Sequence, residues 1–297
     1  MKILLIYYTG TFNTRYLTNK IKVRFENQGY TVDTVEINCE TAPVSTQGYQ
    51  YIGFSYPIYG FNSPAPFNRY IKKLKFEKGQ KYFIYKNSGE TMAMNNASSR
   101  ILIRRMKKFK CDFRGEYHFV MPYNIHFAFD REFIRQIFQK NEKLADIMMH
   151  NLKNGIIFKI KSNFIYNLGA FFVGIQKIGG NINSFFYKVD KSKCISCNKC
   201  VNICPEKNIY VKGKIRFHHK CDMCMRCSFF CPTNAIKIGF LEGWKVNGDY
   251  NFEQIERDTS PIKEYITKDS KGFYKCFIKH FKFIDEEHKK IFGDRNV

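Results

Sequence analysis

The chain has 297 residues, 44% apolar and 17% aromatic, enough for a substantial core, which excludes a largely disordered polymer. That length exceeds the usual size of one domain, so two are expected. Basic residues outnumber acidic ones by 49 to 26, giving +23, and residues 1–190 hold 28 of the basic and 13 of the acidic side chains, so the excess is spread along the chain.

Lys2–Tyr8 reads as a short apolar strand. It is too short for a secretory leader and no small-residue cleavage site follows, so a cytoplasmic protein is expected. Helical spacing runs from about Thr14 to Gln28 and stops at Gly29, as helices often do. Tyr30–Ile37, Tyr51–Ser55, Lys81–Lys86 and Glu116–Met121 read as further strands, with helices over Ala65–Lys75 and Asn95–Lys108. Five strands interleaved with helices predict an α/β domain with a doubly wound parallel sheet. Ligands of such sheets bind beyond the carboxyl ends of the strands.

The loops at those ends carry a chemical signal. Thr9-Gly10-Thr11-Phe12-Asn13-Thr14 joins the first strand to the first helix, and hydroxyls with backbone N–H groups at a helix start form an anion cradle. This loop resembles the phosphate loop of the flavodoxins. Phe12 stands where that family usually has a small residue, and Thr18 replaces a common alanine; Phe12 would either crowd the cradle or point outward. The resemblance implies a flavodoxin-like fold and FMN. It places Tyr56-Pro57-Ile58-Tyr59-Gly60 and Asn87-Ser88-Gly89-Glu90 beside the flavin ring. Tyr56, Tyr59 or Phe61 would stack on the ring, amides near Ser88–Glu90 would meet its polar edge, and Met121-Pro122-Tyr123-Asn124 would close a third side.

His126, just past that loop, is a candidate proton donor, although a lone histidine is more often structural. Arg104-Arg105-Met106-Lys107-Lys108 reads as a solvated helix face or, more sharply, a dock for an acidic redox protein. Arg131–Asn154 is helical in pattern. Phe164, Leu168, Phe171, Ile175 and Ile178 then mark one helical face ending before Gly179-Gly180. Core packing is its expected role; a lid over the flavin or a membrane-surface helix flanked by Lys159, Lys161 and Lys177 are the alternatives.

Of eleven cysteines, eight lie between Cys194 and Cys231, while Cys39, Cys111 and Cys276 are scattered and read as inert, half-buried small side chains. In a chain without an export signal such a count points to metal or redox chemistry rather than disulfides. Cys194-x2-Cys197-x2-Cys200-x3-Cys204-Pro205 recurs, 27 positions on, as Cys221-x2-Cys224-x2-Cys227-x3-Cys231-Pro232. A structural zinc site needs four ligands and would not use the third and fourth cysteine of each copy. Ile195, Val201, Ile203, Met223, Met225, Phe229 and Phe230 alternate with the cysteines and would exclude water.

The repeat resembles the bacterial two-cluster ferredoxins, in which three cysteines of one copy and the fourth of the other hold each cube. That resemblance implies two [4Fe–4S] clusters, one on Cys194, Cys197, Cys200 and Cys231, the other on Cys221, Cys224, Cys227 and Cys204. Together the two stretches resemble flavodoxin–ferredoxin fusions, divided as 1–154 flavodoxin-like, 155–190 connector, 191–239 ferredoxin and 240–297 an extension packed on the rest through Trp244 and Tyr274–Ile284. The implied function is electron transfer between two [4Fe–4S] clusters and FMN, with an acidic redox protein as partner. The alternative is a ferredoxin-type carrier whose first domain binds no flavin and serves as a docking module. No apolar run approaches the roughly 18 residues of a bilayer span, and no nucleic-acid motif is present, so neither a transmembrane segment nor a nucleic-acid partner is expected.

Overall fold

Ile3 and Leu5 face one side of the first strand and Leu4 and Ile6 the other, and all four are buried, as the central strand of a sheet covered on both faces requires. The computed structural model describes residues 1–174 and 176–293, with the side chains of 176–178 left aside. It begins β1 (Lys2–Tyr7), α1 (Asn13–Asn27), β2 (Thr31–Glu36), β3 (Tyr51–Ser55), α2 (Ala65–Lys73), β4 (Lys81–Ser88), α3 (Arg100–Lys108), β5 (Asp112–Val120) and α4 (Arg131–Lys153). The strands form one sheet in the order β2-β1-β3-β4-β5, every pair parallel. That order is the flavodoxin-like doubly wound topology.

One face packs Leu17, Ile21 and Phe25 of α1 and Leu144, Ile147 and Met148 of α4 against Phe83, Tyr85, Tyr117 and Phe119. The other packs Phe67, Tyr70 and Ile71 of α2 and Leu102 and Met106 of α3 against Phe54, Tyr82 and Ile84. Each such side chain contributes about 1.5–3 kcal/mol when fully buried.

The helix expected over Asn95–Lys108 starts as a tighter 3-10 turn at Ala93–Ser99. The reason is local: Lys86 Nζ takes the Asn95 carbonyl at 3.0 Å, while the Asn95 amide turns back to Ser88 and Glu90. Lys86 is fully buried and paired with Glu116 at 2.6 Å. Burial lowers its pKa, and Glu116 offsets that by favouring the charged form.

The chain continues as α5 (Phe164–Val173), α6 (Gln176–Ser184), β6 (Tyr187–Val189), α7 (Lys199–Asn202), β7 (Ile209–Lys212), β8 (Lys214–Phe217), α8 (Arg226–Phe229), β9 (Ile236–Ile238), α9 (Phe252–Glu256) and α10 (Lys275–Phe292). The connector departs from expectation in three ways. It is two helices rather than one, and α6 runs through Gly179-Gly180 instead of ending before them. Phe164, Leu168 and Phe171 are exposed, so core packing does not describe α5; Ile175 lies outside the described residues and Ile178 outside those with described side chains. Third, β6, inside the expected connector, pairs antiparallel with β9 and so joins the cysteine-rich unit.

The C-terminal extension packs on the first domain. Phe277 and Phe281 of α10 join Phe133 and Ile137 of α4, Ile284 enters the sheet-side core, and Asp285 meets Lys140 and Lys143 at 2.6 and 2.8 Å. Trp244 itself is largely exposed. Among the described residues no helix is long and apolar enough to cross a membrane.

Candidate functional site

The 27-residue repeat is also a repeat of backbone conformation. Ser196, Asn198 and Lys207 adopt left-handed φ of 54°, 56° and 50°, and their counterparts Met223, Met225 and Asn234 adopt 51°, 61° and 51°. Left-handed turns at non-glycine residues are costly and mark functional constraint. Here they turn each loop into its one-turn helix, α7 or α8, which carries the third cysteine of the copy, Cys200 or Cys227. The fourth cysteine of each copy accepts a backbone N–H at 3.2 Å, Cys204 from Asn208 and Cys231 from Ala235.

Cysteines of the two repeats come together. Cys194, Cys197 and Cys200 line one small cavity together with Cys231, closed by Ile215, Pro232 and Ile236. Cys204 stands instead within electrostatic reach of Cys221, Cys224 and Cys227. All eleven cysteines are free thiols. Among the described residues no three His, Cys, Asp or Glu side chains converge closely enough to hold a single metal ion. A cube with iron at its corners asks for thiols spread wider than a mononuclear ion does. Burial pushes Cys221 up to about 12 and Cys200 and Cys224 up to about 11, and ligation by iron would remove those protons. Of the apolar residues expected to shield the cysteines, Met225 and Phe229 are buried, whereas Ile195 is exposed. Cys39 is exposed rather than half-buried.

At the carboxyl ends of the strands lies a cavity of about 590 Å³. Gly10, Thr11, Asn13, Thr14, Pro57, Tyr59, Gly60, Asn87, Ser88, Gly89 and Asn124, the residues the flavodoxin resemblance singles out, all line it. Side-chain bonds fix its shape: Asn13 to the Pro122 carbonyl at 2.8 Å, Asn87 to Thr14 at 2.9 Å and Asn124 to Thr11 at 3.2 Å. Helix α1 opens onto it with no side-chain cap and no acidic residue in its first turn, so orphan N–H groups and the positive dipole end stay available to an anion. Phe61 and His126 line it as well.

Three of the expected contacts lie elsewhere. Phe12 has φ 68° and turns away from the cavity, its ring 5.0 Å from Phe230 and flanked by the guanidinium groups of Arg15 and Arg226. Tyr56 is buried below the site, sharing a hydrogen bond with Ser99 at 2.7 Å. Thr9 is fully buried, and Arg226 takes its carbonyl. Arg105, in the expected basic docking face, donates to the carbonyls of Lys72 and Leu74, leaving Arg104, Lys107 and Lys108 exposed.

The second cysteine loop forms part of the same cavity: Cys221, Asp222, Met223 and Met225 line it opposite the flavodoxin-like loops. Gly10 makes this approach possible. A Cβ there would stand 2.1 Å from the Tyr59 hydroxyl and 3.0 Å from the Cys224 carbonyl. The hydroxyls of Tyr8 and Tyr59 are buried with no hydrogen-bond partner among the described residues. Burial, then the nearby Cys224 thiol, pushes both phenols up, which keeps them protonated donors. Arg226 clasps the underside of the phosphate-type loop and the Ile203 carbonyl of the first repeat. Glu36 adds a bidentate pair with Arg15. Position 226 carries no motif signal, so sequence reasoning passes over it. Trp244 and Phe240 also line the cavity from the extension, and the Trp244 carbonyl accepts the His126 N–H at 2.7 Å.

Residues 187–210 and 217–237 match the 4Fe-4S binding domain family. Pyruvate synthase subunit PorD of Methanothermobacter marburgensis is 37% identical over 59 residues, 20% of this chain and 72% of that one. A ferredoxin of Methanothermococcus thermolithotrophicus is 36% identical over 52 residues, 16% and 87% of the two chains. The thiosulfate reductase electron transfer subunit PhsB of Salmonella typhi is 35% identical over 65 residues, 18% of this chain, which spans only 34% of that subunit. Among solved structures, a short-chain flavodoxin associated with a bacterial microcompartment overlaps 52% of this chain and 99% of its own at 15% identity and TM-score 0.40. Flavodoxin 1 of Bacillus cereus overlaps 52% and 98% at 13% and 0.38. The strand order, rather than these overlaps, defines the first domain. The chain belongs to the 4Fe-4S ferredoxin family and carries a flavodoxin-like domain fused ahead of its ferredoxin domain.

Proposed function

We propose that this protein passes electrons between two [4Fe–4S] clusters and FMN within one chain. The carrying observation is that Cys221 and the loop after it line the cavity formed by the flavodoxin-like loops. Cys194, Cys197, Cys200 and Cys231 would hold one cluster, and Cys221, Cys224, Cys227 and Cys204 the other. When bound, the clusters supply single electrons and the flavin a carrier for one or two.

The chain's own residues provide seat and surroundings. Gly10, Thr11, Asn13 and Thr14, at the start of α1, suit a phosphate. Pro57, Tyr59, Gly60, Asn87, Ser88, Gly89 and Asn124 line the rest of the cavity, where a planar ring would sit. Gly89 leaves the Tyr123 ring in close contact with the backbone, since a Cβ there would stand 2.0 Å from that ring. Tyr8 and Tyr59 offer unspent hydroxyl donors beside the second cluster loop; hydrogen bonds to cluster sulfur raise the potential. Phe12, the residue that favoured a flavin-free docking module, lies outside the cavity.

The first cluster site is the outward one. Cys197 is exposed, and Lys191, Lys193 and Lys199 beside it are exposed too, which suits an acidic redox protein. Work in the reducing cytoplasm would keep the eight proposed ligand cysteines and Cys39, Cys111 and Cys276 out of disulfides.

Isolation without oxygen should yield about eight iron, about eight acid-labile sulfide and one FMN per chain, with two interacting reduced clusters by EPR after dithionite. A brown protein that takes up no flavin from excess FMN would overturn the wiring, and an iron-free one the whole reading.

A further inference from the structure

Helix α5 has the composition of a core helix and the exposure of a surface one. Of its ten residues only Ala170 is buried, while Phe164 is 77%, Ile165 73%, Phe171 62% and Phe172 60% exposed. Apolar exposure of this kind marks an interaction surface. Beyond α6, Phe186 packs on Phe240 at 4.4 Å, both rings exposed, and Asn183 of α6 binds both the Ile238 carbonyl and the Phe240 N–H.

Charge decides what covers it. Residues 155–189 contain four lysines and no aspartate or glutamate. Lys159, Lys161 and Lys188 are exposed at the two ends of the segment. A second copy would bring the same positive charge against this one. A protein partner recognised by charge would need polar groups within the patch, where α5 offers little beyond Asn167. A surface both apolar and negative satisfies the two features together, and helices with aromatic and aliphatic faces and flanking lysines lie in the headgroup region of anionic bilayers. No helix among the described residues can cross the bilayer, so the association is with one leaflet.

We propose that α5 and α6 dock this protein on an anionic lipid surface. Val173 and Gly174 at the end of α5 and Gly180 and Asn183 of α6 wall the redox cavity. Docking therefore places that wall at the lipid interface.

The test is flotation of the full chain with phosphatidylcholine vesicles, with and without phosphatidylglycerol, at low and high salt. The protein should float with the anionic vesicles at low salt and much less with the neutral ones. Phe171→Ser and Phe172→Ser should each weaken partitioning by about tenfold or more. Lys159→Gln and Lys161→Gln should each weaken it about fivefold and flatten its salt dependence. Iron content and the visible spectrum should stay unchanged in all four, which shows that each remains folded. Failure of the wild type to float with anionic vesicles at low salt, or flotation of the phenylalanine variants like the wild type, overturns the proposal. So does a solution dimer that the phenylalanine variants split, because the patch would then be a self-interface.

Discussion

Arg226, set between Cys224 and Cys227, donates through Nη2 to the backbone carbonyl of Thr9 at 2.6 Å, 217 residues away in the chain. Its other nitrogens reach the carbonyls of Gly10 and Ile203. One buried side chain thus ties the second cysteine loop to the phosphate-type loop and to the first repeat.

Arg226→Ala should therefore loosen the two domains where they meet. It leaves buried carbonyls unpaired, at about 1–3 kcal/mol each. The expected result is FMN binding weakened by about tenfold or more with iron content kept, read by flavin fluorescence titration and iron assay. Arg226→Lys, which cannot reach three carbonyls from one planar group, should recover only part of that loss.

Crossed grouping of the thiols makes the fourth cysteines diagnostic. Cys231→Ala should damage the cluster proposed for Cys194, Cys197 and Cys200, and Cys204→Ala the one proposed for Cys221, Cys224 and Cys227. EPR of the reduced variants distinguishes the outcomes: loss confined to each cysteine's own repeat would contradict the arrangement.

Gly10 is a close-approach position. Gly10→Ala drives a Cβ into the Tyr59 hydroxyl and against the Cys224 carbonyl, so it should cost about 1–3 kcal/mol by denaturant unfolding and lower FMN affinity with it. Adding Tyr59→Phe removes the nearest clashing atom and should restore part of the stability. By itself, Tyr59→Phe should lower the reduction potential of the second cluster, because a donor that favours the more negative reduced state is gone. Potentiometric EPR titration measures this, and an unchanged potential would mean the hydroxyl does not reach the cluster.

A pair of buried histidines predicts acid sensitivity. Burial lowers His280 from 6.5 to about 4 and holds His118, near Lys86 and His280, well below its ordinary value. Their surroundings are Lys86, its partner Glu116, and Ser88, which shares a 2.7 Å hydrogen bond with His118. The unfolded chain binds protons at these sites first, so stability should fall as pH drops below about 6.5, with the His280 share lost by about 4. His280 accounts for about 3 kcal/mol of that change. Thermal or urea unfolding from pH 7 to 4 measures the slope, and His280→Gln should flatten it.

Much of the site was legible because its signals are local. The cysteine spacing, the residues at the strand ends and the alternation in β1 need no partner to be read. Phe12 shows the limit: sequence left open whether it crowds the cradle, and its direction depends on Phe230 and Arg226, more than 200 positions away. Tyr56 looked like a ring-stacking residue beside Pro57 and Tyr59, yet its hydroxyl is taken by Ser99 beneath the sheet. Helix α5 has an apolar face that normally signals a core, and only the folded chain reveals that nothing described covers it.

By itself the sequence determined the cofactor chemistry of the second domain and the class of the first, because metal ligation and strand–helix alternation are written in spacings of a few residues. Tertiary structure alone decided that the second cysteine loop and the flavodoxin-like loops enclose one cavity, that Arg226 joins them, and that α5 faces outward. Those relationships join residues hundreds of positions apart, and they depend on which surfaces are buried together when the domains pack.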